Sequence, residues 1–106
     1  MIYNINFIKA FNTLVDAKEF CRNRNANNIR DVYIIRKLHF EKMPYPFDQY
    51  AVDVIEFEIG YDIDHLIDIV ENIMLVNNRY YYYMYFSRLN IFGTRTMCCI
   101  ALDESY

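Results

Sequence analysis

Alternation of apolar and polar residues predicts most of the β-strands of this chain, because successive side chains of a strand point to opposite faces of the sheet. Strands are predicted at 2–10, 31–42, 51–59, 79–88 and 95–102. The first keeps an alternative, since Phe7, Ile8, Phe11, Leu14 and Val15 also fit one side of a helix. Two prolines in the segment "MPYPFD" separate the second strand from the third.

Two helices are predicted from capping residues and from apolar spacing. Thr13, followed three residues later by Asp16, resembles a helix N-cap and starts a helix over 13–24. Asp62 is predicted to cap a second helix that runs to about residue 76, and Asn77 and Asn78 end this helix. Its apolar residues recur at helical spacing: Ile63, Leu66, Ile67, Val70, Ile73 and Met74.

The predicted order is β-α-β-β-α-β-β in one α+β domain spanning 1–106. Its first six elements are typical of a ferredoxin-like split βαβ fold, with both helices on one face of an antiparallel-rich sheet, and the last strand extends that sheet. Without the first strand, the alternative is an α-β-β unit repeated twice. The predicted hairpins place Lys37 opposite Val54 and Met84 near Cys98.

The segment "RYYYYMYFSR" at 79–88 holds five tyrosines in six residues. As a strand, it places Tyr80, Tyr82, Met84 and Phe86 on the more apolar face, which is expected to pack on the helices. The other face carries Tyr81, Tyr83 and Tyr85, joined by Met97 of the last strand and flanked by Arg79 and Arg88. These six residues are the predicted binding site.

Protein binding is the function that this surface favours, since tyrosine and methionine are enriched at protein interfaces. The partner is predicted to be another protein, a second copy of the chain in a homodimer, or a strand added to a free sheet edge. The alternative is single-stranded nucleic acid stacked on the tyrosines. A net charge of −3 disfavours that alternative, because phosphate contacts require basic surfaces.

Residues 2–7, "IYNINF", resemble the first-strand motif of the RNA-recognition motif family at Ile2, Tyr3, Asn6 and Phe7. That family also has a basic residue, a glycine and alternating aromatics on its third strand. The third strand here, "AVDVIEFEI", is acidic and has no glycine. We therefore assign no family from the sequence.

Catalysis is not predicted. Two glycines cannot form a phosphate-binding loop, and no nucleophile elbow or zinc-ligand spacing is present. His65 and Asp68 are three residues apart on a helix, which leaves a metal-dependent enzyme as a weak alternative; a solvated acidic helix face is the favoured interpretation. No cofactor is expected.

Cysteine number and the N-terminal segment predict the compartment. The chain has an odd number of cysteines, Cys21, Cys98 and Cys99, and their positions suit no disulfide framework. A reducing, cytoplasmic location is therefore predicted. The N-terminus lacks signal-peptide features, and no apolar run reaches the roughly 20 residues of a membrane helix. Abundant Asn, Ile and Tyr in a bare domain suggest an accessory protein of a virus or mobile element.

Overall fold

Five strands and two helices follow one another in the predicted order. The structure is a computed structural model that describes residues 2–24, 29–42, 44, 46–78 and 81–102. Of Tyr81, it describes only the backbone. The strands are β1 (Tyr3–Phe11), β2 (Asp31–Phe40), β3 (Phe47–Phe57), β4 (Tyr81–Leu89) and β5 (Arg95–Ala101). The helices are α1 (Leu14–Arg22) and α2 (Leu66–Asn77), the latter preceded by a 3-10 turn, Ile63–His65.

All neighbouring strands are antiparallel, in the order β1-β3-β2-β4-β5. The α+β class is confirmed, and the presence of β1 removes the α-β-β repeat. The ferredoxin-like order is wrong, because that arrangement pairs the strand after the second helix with the first strand. Here β4 pairs with β2 instead and leaves β1 and β5 at the two edges.

The two helices lie on opposite faces of the sheet, which contradicts the prediction that both pack on one face. On β2, Val32 and Ile34 belong to the core cluster of α2, whereas Tyr33 and Ile35 belong to the cluster of α1. Neighbouring residues of a strand point to opposite faces, so each helix covers its own face. The run "VYII" is apolar at every position, which is typical of a strand buried on both sides.

Predicted capping residues stand at the start of α1, at the start of the 3-10 turn before α2, and at the end of α2. Thr13 Oγ1 accepts a hydrogen bond from the backbone N–H of Asp16 (3.2 Å), and Asp62 accepts one from Asp64 (3.1 Å). Asn78 ends α2 in the left-handed conformation, with φ 53°. The segment "NRNANN" at 23–28, whose asparagines predict a loop, lies outside the described residues from position 25 onward.

Both hairpins differ in register from the prediction. Lys37 pairs with Tyr50 rather than with Val54, because β3 starts four residues earlier than predicted. The stacked rings of Phe40 and Phe47, 5.0 Å apart, close that hairpin. In the second hairpin, Met84 pairs with Ile100 and Cys98 pairs with Phe86, a shift of two residues that preserves the faces.

A buried ion pair joins β2 and β3 on the α2 face. Asp53 is fully buried, and its Oδ2 lies 2.6 Å from Nε of Arg36, whose side chain is 22% exposed. Asp53 alternates with Ile55 and Phe57 along β3 and therefore shares their buried face.

Candidate functional site

The predicted binding face of the tyrosine strand is covered by α1. Tyr85 is only 1% exposed and packs in one cluster with Ala17 and Cys21 of that helix. Burial is the main cause of a raised pKa at Tyr85, and a hydrogen bond with Cys99 raises this pKa further. The phenol of Tyr85 therefore stays neutral. The prediction that Tyr85 lies on an open surface is therefore wrong, because α1 packs on that face.

The other predicted site residues do not form one surface either. Tyr83 and Met97 are half-buried against the α1 cluster, and Nζ of Lys18 lies 4.2 Å from the centre of the Tyr83 ring. Arg88 is exposed, but it lies at the far end of β4. Arg79 and the side chain of Tyr81 lie outside the described residues.

A small pocket remains beside α1 at the start of β4. The β2–β4 register shifts between Ile35 and Arg36, and the pocket includes both Tyr82 and Tyr83. Leu14, Lys37 and Tyr50 complete a cavity of about 270 Å³. Asp48 lies 3.2 Å from Lys37, so the positive charge at this pocket is already paired. The arrangement offers room for one ring, not a platform for several bases.

Among the described residues, the large apolar side chains with the highest exposed fractions lie at the tip of the β4–β5 hairpin. Ile91 is 93% exposed and Phe92 is 85% exposed. Oδ1 of Asn90 accepts hydrogen bonds from the backbone N–H groups of Phe92 (2.9 Å) and Thr94 (3.1 Å). Gly93 has φ 83°, a conformation that favours glycine. The turn is therefore internally bonded and presents both side chains to solvent.

Tyr61 anchors the base of the same hairpin. Its hydroxyl accepts a hydrogen bond from the backbone N–H of Ser87 (3.0 Å) and donates one to the Ser87 carbonyl (3.2 Å). Burial raises the pKa of Tyr61, which keeps its donor proton in place. Since Ser87 is buried, the hairpin extends from a fixed base to the exposed tip.

Charge is distributed unevenly between this hairpin and the preceding third of the chain. Residues 47–78 contain eight acidic residues and no lysine or arginine, whereas residues 79–102 contain three arginines and no acidic residue. Arg88 and Arg95 lie on the two strands just below the tip. The hairpin tip, defined as Leu89–Gly93 with these two arginines, is thus apolar and cationic.

An apolar groove lies between α2 and the edge strand β1. It encloses about 250 Å³ and is lined by Tyr3, Ile69, Asn72, Ile73 and Val76. Val76 is 78% exposed and forms the open rim of this α2–β1 groove. Asp68 lies one helical turn before Asn72 on the same side of α2, so the groove has an acidic border.

His65 pairs with Asp62 at the start of the 3-10 turn. Its Nδ1 lies 2.9 Å from Oδ2 of Asp62, and this hydrogen bond raises the pKa of His65 and lowers that of Asp62. Both side chains are mostly exposed. Within the described ranges, no group of three or more His, Cys, Asp or Glu residues converges as a metal site. The pair stabilises the start of the helix.

The three cysteines, Cys21, Cys98 and Cys99, are free thiols in the structure. Burial raises the pKa of Cys21 to about 12, which makes it a core thiol rather than a nucleophile. Cys98 packs partly against the α2 cluster, and Cys99 is exposed opposite Tyr85.

Comparisons with protein-family models, with curated proteins and with solved structures find no match for this chain. Of the helices within the described residues, none has the length and apolar character needed to cross a membrane.

Ile91 and Phe92 lie between the last two predicted strands, 79–88 and 95–102, and are not among the predicted site residues. A signal was present, because turns are normally built from Gly, Asn, Asp, Ser and Pro. Two large apolar residues between Asn90 and Gly93 have no packing role in such a turn. The segment "LNIFG" could therefore have been identified as a contact element.

Proposed function

We propose that this chain is a non-catalytic protein-interaction module and that its contact element is the hairpin tip. The observation that supports the proposal is the exposure of Ile91 and Phe92 on an internally bonded turn. Burying these two side chains against a partner removes a large apolar area from water, which is the main driving force of association. Arg88 and Arg95 favour a partner whose binding site has an acidic border.

Preorganisation is the physical advantage of this arrangement. Binding by a flexible loop loses free energy because the loop must be ordered, whereas the bonds of Asn90 and the anchor of Tyr61 order this one beforehand. A buried aromatic side chain next to arginine is typical of the few residues that dominate binding energy at interfaces. Phe92 is therefore the proposed hot spot.

Single-stranded nucleic acid is less well supported than a protein partner. Base stacking needs several exposed rings along one path. Tyr85 is buried, and the ammonium group of Lys18 covers the Tyr83 ring. The pocket at Lys37 could accept one base, but Asp48 already neutralises its lysine.

The proposal places the module in a reducing compartment such as the cytoplasm, where the unpaired thiols Cys21, Cys98 and Cys99 stay reduced. The composition, rich in Asn, Ile and Tyr, supports an accessory protein of a virus or mobile element as the class of protein. A homodimer through the tyrosine face would need α1 to move away, so we do not propose that mode of self-association.

Affinity capture with hairpin variants tests the proposal. The double substitution Ile91→Ser and Phe92→Ser should abolish capture of the specific partner from an extract of the source organism. Loss of one such hot spot weakens binding by about 30-fold, the equivalent of about 2 kcal/mol. Fold stability should not change, because both side chains are solvated in the free protein.

Ile59→Ser is the matched control, since Ile59 is also apolar and 66% exposed but lies in the loop after β3. This variant should capture the same proteins as the wild type. Equal capture by the hairpin double variant would contradict the proposed contact element, and capture of nucleic acid alone would support the alternative.

A further inference from the structure

We infer that a second copy of this chain is a partner of the hairpin tip, and that Ile91 and Phe92 of one copy enter the α2–β1 groove of the next. This inference rests on the proposed function and specifies the partner. The groove has the apolar walls that the tip requires, supplied by Ile69, Ile73 and Val76.

Size agrees with this assignment. The groove encloses about 250 Å³, which is less than the roughly 300–1,000 Å³ of typical small-molecule pockets. A cavity of this size suits one or two large side chains projecting from a narrow element. Asn72 offers the groove an amide that can bond the backbone of an inserted turn.

Charge complementarity favours a second copy over an unrelated protein. The tip brings Arg88 and Arg95 without a neighbouring acid within its own hairpin sequence. The groove is built on α2 and β1, and residues 62–77, which form α2 and the turn before it, carry four acids and no lysine or arginine. Asp68, at the border of the groove, would face an arginine of the inserted hairpin. The contact should therefore weaken with salt.

The proposed contact would cover exposed apolar side chains on both patches. Leu75 and Val76 of α2 are 63% and 78% exposed, and Ile91 and Phe92 of the tip are 93% and 85% exposed.

The tip and the groove are different patches, so the contact is head-to-tail. Such heterologous contacts produce closed rings or open filaments rather than a twofold dimer. They also leave a testable signature: a copy that lacks only the tip can still accept a tip, and a copy that lacks only the groove can still donate one.

Mixing two variants tests the inference. Phe92→Ser removes the tip, and Val76→Arg blocks the groove with a charge that repels Arg88 and Arg95. Sedimentation equilibrium at protein concentrations up to about 1 mM detects association free energies as weak as about −4 kcal/mol. It should show that the wild type assembles into species larger than a dimer. Each variant alone should sediment as a monomer of 12.9 kDa. Its self-association should be at least about 30-fold weaker than that of the wild type. Their equimolar mixture should form a species of two chains and no larger one.

Val15→Arg is the control for Val76→Arg, because Val15 is a valine exposed to 69% on α1. This variant should assemble as the wild type does, and far-UV circular dichroism should show all variants folded. A wild type that stays monomeric, a mixture that stays monomeric, or assembly that survives both substitutions would overturn the inference. The proposed function would then stand only if the hairpin double variant still loses capture of another protein.

Discussion

The variant Tyr85→Ala is expected to destabilise the protein by about 3–5 kcal/mol, the range measured when large aromatic side chains are removed from cores. Tyr85 is 1% exposed in the centre of β4 and packs against Ala17 and Cys21 of α1. Its removal leaves a cavity between helix and sheet. Urea denaturation, followed by circular dichroism, measures the free energy of unfolding.

Two control variants separate burial from other effects. Tyr85→Phe keeps the ring and should cost far less than Tyr85→Ala. Phe92→Ser removes an aromatic side chain that is 85% exposed and should change the free energy of unfolding by less than about 0.5 kcal/mol. A small loss for Tyr85→Ala, similar to that of Phe92→Ser, would mean that α1 does not cover this face.

The variant Arg36→Met is expected to cost about 3–5 kcal/mol, because it leaves the carboxylate of Asp53 buried without its guanidinium. Asp53 is fully buried, and the two side chains meet at 2.6 Å on the α2 face. Removing one partner of such a pair is much more destabilising than replacing both with apolar groups of similar volume. Thermal and urea unfolding at neutral pH both report the loss.

The neighbouring residue offers a matched control. Lys37 pairs with Asp48 at 3.2 Å, but both side chains are exposed to more than a third, so Lys37→Met should have a much smaller effect. The double variant Arg36→Met and Asp53→Leu should recover most of the stability lost by Arg36→Met alone. If the double variant were less stable than the single one, the ion pair would not be the source of the loss.

Local sequence signals were sufficient for the secondary structure but not for its three-dimensional arrangement. Alternation located the strands, Thr13 and Asn78 mark predicted ends of α1 and α2, and Asp62 caps the 3-10 turn that leads into α2. Registers failed, because they depend on hairpin loops whose geometry alternation does not encode. The loop before Phe47 is shorter than predicted, and Asn90 organises a turn that places Leu89 opposite Arg95.

The predicted tyrosine face is buried because α1 packs on that side of the sheet. Both faces of β4 carry aromatic rings, so the strand itself could not indicate whether one helix or two would cover it. The informative signal lay in β2 and β3, where "VYII" and "AV-VI" around Asp53 are apolar on both faces. Ala17 and Cys21 are small, which makes the buried side of α1 inconspicuous in the sequence.

The candidate site depends on exposure, which a single sequence does not report. Ile91 and Phe92 have the composition of a buried segment, and only the fold reveals that the hairpin projects them into solvent. The groove joins residues far apart in the chain, Tyr3 with the second helix, and follows from the edge position of β1.

Photo-crosslinking in living cells compares the two surfaces directly. A benzophenone amino acid is placed either at position 92, in the hairpin tip, or at position 83, on the strand that the sequence suggested. We expect illumination to give a covalent adduct to protein from position 92 and none from position 83. Adducts from position 83 with none from position 92 would contradict the account and restore the tyrosine strand as the binding surface.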